Sequence, residues 1–213
     1  MKLLKFTLVK VLVAFVFMQS CFSQDTLKSN SDLLKEAVRK SGGYVTGYEL
    51  PIGSGDSAFY NRVKGLDKKE DIPFLLDVIK YGPNWPGEDL TYQILAPHIA
   101  RCYAVLCLAS IKDSQAYPIL TDLLQNGKYL YDPNLDELTR QKYDIRQFAA
   151  AGLGILGDNR AVDLLITTID SPNGRVRYNS IHALTVIKDM RAIEPILKAA
   201  EKNKVEDVVI GGL

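Results

Sequence analysis

The chain has 213 residues, 47% of them hydrophobic, with 26 Lys plus Arg against 25 Asp plus Glu. That hydrophobic content supports a substantial core in one globular domain. The near-balance of charge excludes a grip on a nucleic-acid backbone, which needs a basic stripe.

The chain opens with a leader. Lys2, Lys5 and Lys10 precede the apolar run from Val11 to Met18, and small residues follow at Ser20, Cys21 and Ser23. This is the layout of a secretory signal peptide over residues 1–23, and its apolar run is too short to span a bilayer, which takes about 20 residues. Cleavage after Ser23 would release Gln24 as the first mature residue. Alternatively, Cys21 is a lipidation site: Met-Gln-Ser-Cys at 18–21 resembles a bacterial lipoprotein signal, although Met18 and Gln19 depart from the preferred residues. Either route predicts an exported protein of the periplasm or cell envelope. Without residues 1–23 the chain carries 23 basic and 25 acidic side chains, a net of −2. Cys102 and Cys107 lie five residues apart on one helix and are not placed to pair.

Residues 24–55 read as a short N-terminal helix followed by a linker. Ser31 is the expected cap of a helix ending at Lys40, with Leu33, Leu34, Ala37 and Val38 at helical spacing. The stretch 41–56 is rich in Gly and Tyr and contains Pro51, so a loop is expected there. From 56 onward helices dominate. Ala58 to Leu66 and Ile72 to Tyr81 predict a degenerate first pair, and an insertion at 82–96 holds Trp85, the single tryptophan, with a helical turn expected to end before Pro97.

Three clearer pairs follow. Arg101, Arg146 and Arg177 each stand twelve residues before an Asp, at Asp113, Asp158 and Asp189. The register predicts A helices over 101–111, 146–156 and 177–187, and B helices over 115–124, 160–169 and 191–200. Asp158 and Asp189 are each placed to cap a B helix, where a carboxylate meets free backbone N–H groups and the positive end of the dipole. Small residues at Ala149, Ala151 and Gly152 allow close helix approach, and the arginines are expected to link successive turns. One hairpin cannot bury such faces alone, so the pairs must stack. The segment between Gln125 and Asp144 is a second insertion, bearing Tyr129, Tyr131 and Tyr143.

AAAGLGILGDNRAVDLLITTI at 149–169 resembles a HEAT repeat of the short type associated with phycobilisome lyases, and SIHALTVIKDMRAIEPILKAA at 180–200 is similar to it. The first copy departs from the pattern by having no Arg after Asp113. The resemblance covers residues 56–213, most strongly from 98 onward. It implies an all-α fold, a right-handed α-solenoid of stacked antiparallel helix pairs with helix B on the concave side.

Chemical motifs yield to structural readings. Gly152-Leu-Gly154-Ile-Leu-Gly157 satisfies G-x-G-x-x-G, but its glycines end a helix, whereas a dinucleotide site has them open one after a strand. His98 and Cys102 are two ligands where structural zinc takes four. The run from Asp132 to Glu137 has no Gly at the position a calcium loop requires, and Asn134 reads as the cap of a short helix over 135–141. No nucleophile elbow or phosphate loop is present. The chain is therefore expected to be no enzyme and to need no cofactor or metal.

The expected function is that of an exported scaffold or adaptor. It would bind a protein or peptide, without nucleic acid and without a transmembrane span. Its contacts would come from Asp122, Gln125, Thr167, Thr168, Lys198 and Glu201 on the B helices and from Trp85, Tyr129 and Tyr131 on the insertions, aromatics being favoured interface anchors. The alternatives are a lyase-type or glycosylase-like array and a structural subunit. The latter would self-associate through an open C-terminal end, since Val205 to Leu213 reads as the opening of one more A helix.

Overall fold

The computed structural model describes residues 28–40, 65–83, 95–127 and 135–202, and within them the chain is helical throughout, with no strand. Helix α1 is Asn30–Lys40, α2 Ile72–Tyr81, α3 Ala96–Ile111, α4 Ala116–Asn126, α5 Glu137–Lys142, α6 Ile145–Leu156, α7 Val162–Thr168, α8 Gly174–Ile187 and α9 Ile193–Lys202. Helices α3, α6 and α8 form a continuous A row, α6 packing against α3 on one side and α8 on the other. Each B helix lies on the A helix that follows it: α2 on α3, α4 on α6 and α7 on α8. Helix α1 closes the other side of α3.

The A row is buried because its residues are apolar nearly all round. Everything from Cys102 to Ala109 is buried, and Tyr103 and Phe148 are the largest fully covered side chains. Gly152 lets α6 approach this layer. A methyl at that position would lie 3.1 Å from the Ala109 Cβ and 3.0 Å from Leu120 Cδ2. The glycine motif is thus a packing feature, and its last member caps α6 in the left-handed conformation at φ 70°.

Asp158 and Asp189 cap as the sequence predicts, and Asp113 makes the matching bond in the turn before α4. Asp113 Oδ1 accepts from the backbone N–H of Gln115, Asp158 from that of Arg160 and Asp189 from that of Arg191. The last two B helices begin with a single 3-10 turn, Asn159–Ala161 and Met190–Ala192.

Several expectations are corrected. Helix α3 starts five residues before Arg101, and Pro97 lies in its first turn, where its missing N–H costs nothing. Helix α8 likewise starts at Gly174, three residues ahead of Arg177. Helix α1 is capped by Ser29, not Ser31: Asp32 N–H donates to Ser29 Oγ while the Asp32 carboxylate accepts from the Ser29 backbone N–H, a reciprocal box. Asp136, not Asn134, caps α5, accepting from the Thr139 N–H at 2.9 Å. The leader, Cys21, the linker over 41–56, residues 58–64 of the helix expected over 58–66, Trp85, Tyr129, Tyr131 and residues 203–213 lie outside the described residues.

Candidate interaction surface

The B row carries the surface features. Helices α2 and α4 both pack on the A row, and between them runs a groove of about 610 Å³. Leu76, Ile79 and Lys80 form one wall, and Pro118, Ile119, Asp122, Leu123 and Asn126 the other, with Gly127 at the end. The α4 residues stand at i, i+1, i+4, i+5 and i+8, a single helix face. Ile79 and Leu123 are almost buried and make the floor, while Leu76 and Ile119 are half-buried. Lys80 and Asp122 are exposed at the rim.

The later gaps between B helices are bridged by arginines. Arg160 holds Asp158 through Nε and Nη2 and lays its guanidinium 4.2 Å from the centre of the Tyr117 ring on α4. Arg191 holds Asp189 in the same way and reaches Asp163 on α7 at 2.9 Å and the Asn159 carbonyl at 3.0 Å. Gln115 occupies the matching position in the first repeat. It bonds to Asp113 in its own turn, and the first gap is crossed instead by the ion pair of Lys69 with Asp113, at 3.0 Å. That contact lies at the turn, and among the described residues the facing sides of α2 and α4 stay uncovered.

The predicted contact residues are distributed as follows. Asp122 lines the groove, its Oδ1 accepting from Asn126 Nδ2 at 2.8 Å, and Gln125 is exposed farther along α4. Thr167 is exposed and its hydroxyl donates to the Leu164 carbonyl. The Thr168 hydroxyl bonds to Leu165 O and to Ser180 Oγ on α8, so it joins a B helix to the next A helix. Lys198 pairs with Glu194 along α9, and Glu201 is exposed on the same helix. Tyr143, expected on an insertion surface, is 4% exposed and belongs to the core, because the chain turns inward there to start α6. Sequence reasoning missed Leu76, Ile79, Ile119 and Leu123. The signal available was the missing arginine after Asp113.

The arginines that mark the repeat register sit in three different surroundings. Arg146 binds the fully buried Asp144, which also accepts from Asn173 Nδ2 at 3.0 Å and so ties the α5 insertion to the loop before α8. Arg177 donates to the Ser171 and Pro172 carbonyls of its own loop. Arg101 is half-buried beside Gly82, where a Cβ would meet its Nη2 at 3.3 Å, and burial lowers its pKa. Cys102 and Cys107 are free and buried, and burial pushes both thiols up, which makes them poor nucleophiles. Among the described residues no group of three or more His, Cys, Asp or Glu is placed to hold a metal, and no helix is long and apolar enough to cross a membrane.

Stacked helical hairpins with capped turns define a helical-repeat solenoid. Residues 131–211 match the family model of HEAT repeats, and residues 100–126 match that of the PBS lyase HEAT-like repeat. The chain carries HEAT-like repeats over these two stretches. A comparison with curated proteins found no match.

Proposed function

We propose that this protein is an exported scaffold of the cell envelope that binds a protein or peptide partner through its B-helix face. One observation carries the reading: the groove of about 610 Å³ between α2 and α4, with an apolar floor and a charged rim, on the row that HEAT arrays use for contacts. The leader at 1–23 supports the compartment. The near-neutral charge balance argues against nucleic acid as the partner.

The test places a photo-crosslinking side chain at Asp122, Gln125 or Lys80 in the native host, with Glu137 on α5 as the control. Crosslinks to one partner from the groove positions and not from Glu137 are the expected result. Equal capture from all four would remove the groove from the function. Mass analysis of the purified protein separates an N-terminal Gln24 from a lipidated Cys21.

A second reading, self-association, rests on α9. Ile193 is 48% exposed, whereas Val162, its counterpart one repeat earlier, is fully buried; Leu197 and Met190 are 55% and 77% exposed beside it. Leu197→Asp would abolish a concentration-dependent dimer if this face joins two copies. A monomer at all concentrations, with wild type and variant alike, would end that reading.

A further inference from the structure

Resting on the groove reading above, we infer that the groove accepts an amphipathic helix of a partner protein whose two flanks carry opposite charge. The α2 wall is ten residues, about 15 Å of helix, long enough for a ridge of apolar side chains at i, i+3 or i+4, and i+7. Leu76, Ile79, Ile119 and Leu123 are the surface that such a ridge meets. The walls then differ in sign. Lys80 stands on α2 with its ammonium 4.9 Å from the Tyr81 ring centre; the charge of Asp77, one turn earlier on the same helix, acts on it but Asp77 is not among the residues that line the groove. Asp122 stands on α4, steadied by Asn126, and no cation among the described residues bonds to it.

A helix lying between them meets a cation on one flank and an anion on the other. A helix with two acidic flanks is repelled by the α4 wall, and one with two basic flanks by the α2 wall. Turning a helix end for end while its ridge stays in the groove exchanges the flanks. Lys80 and Asp122 therefore select the direction of the bound helix as well as its composition.

The test titrates the full chain, with labelled Ile and Leu methyls, against three synthetic helical peptides that share one leucine ridge. One has glutamates on one flank and lysines on the other, the second has glutamates on both, and the third lysines on both. The mixed peptide is expected to bind about five-fold tighter than either of the others, the scale of rim charge pairs. It should shift the methyls of Ile79, Ile119 and Leu123. Lys80→Glu should make the all-lysine peptide the best ligand, and Asp122→Lys the all-glutamate peptide. Both side chains are exposed, and unchanged methyl shifts in α6 verify the fold of each variant. If the mixed peptide shifts these methyls but the swaps leave the ranking as it was, the opposite-flank inference is overturned and the groove reading stands. If no peptide moves them, the groove reading falls and the inference with it.

Discussion

Arg160 and Tyr117 belong to different repeats, and the guanidinium of the first lies 4.2 Å from the ring centre of the second. The contact holds α7 to α4 while two further donors of Arg160 hold Asp158. Arg160→Lys should keep the positive charge but lose the two-pronged grip. Amide exchange in α7 is expected to quicken in this variant, with α3 unchanged. Equal protection of α7 in both proteins would show that the ring contact contributes nothing.

The residue before each repeat aspartate is left-handed: Lys112 at φ 55°, Gly157 at φ 70° and Lys188 at φ 59°. Glycine enters this region without strain, and a side chain costs about 1–2 kcal/mol there. Lys188→Gly is expected to raise stability by about 1 kcal/mol in chemical denaturation. Gly157→Ala should lower it by a similar amount, and since nothing lies within 4 Å of a Cβ at Gly157, the loss would be conformational strain and not a clash.

Gly152 has the opposite problem. Its conformation suits any residue, but its space does not, because Ala109 and Leu120 close over it. Gly152→Leu should cost about 3 kcal/mol through overpacking, measured as a lower denaturant midpoint at unchanged slope. A neutral outcome would mean that α3 and α6 can separate freely.

Much of the array is legible in the sequence because it follows from short-range rules. The Arg-to-Asp register, the small residues of α6 and the caps at Asp158 and Asp189 all act within one hairpin, and a period exposes them. What escaped was set by neighbours far along the chain. The burial of Tyr143 depends on where α5 leads the chain, and the groove depends on how α2 and α4 sit on α3 and α6. The loss of an arginine after Asp113 is visible as a departure from pattern, but its meaning needs the later arginines, whose reach onto the preceding helix is a three-dimensional fact. Helix boundaries slipped for a local reason: Ser29 and Asp136 each had a competing polar residue two positions away, at Ser31 and Asn134.

Acid should weaken the fold over two pH ranges. His182 is half-buried and burial lowers its pKa from 6.5, so the fold favours the neutral ring, and this contribution is lost as pH falls below about 6.5. Asp158 and Asp189 are held below the usual carboxylate value by the arginine side chains and then by backbone N–H groups. For Asp113 the Gln115 N–H comes first and Lys69 second. Their folded pKa values lie below the unfolded ones, so their stabilisation is complete above about pH 4 and disappears as pH drops through the folded values. Melting curves across pH should show His182→Gln removing the loss over the upper range and Asp158→Asn with Asp189→Asn shrinking that over the lower. A profile unchanged by all three would refute the assignment.

The ion pair that crosses the first gap, Lys69 with Asp113, joins a lysine that is 77% exposed to a turn carboxylate. Ions in solution screen such a pair, with a Debye length of about 8 Å at physiological strength and about 3 Å in molar salt. The charges on the groove rim, Lys80 and Asp122, answer to the same variable. Salt would weaken that pair and mute Lys80 and Asp122 together, so under the proposed function the ionic strength of the surroundings becomes a control on how firmly the groove holds a partner.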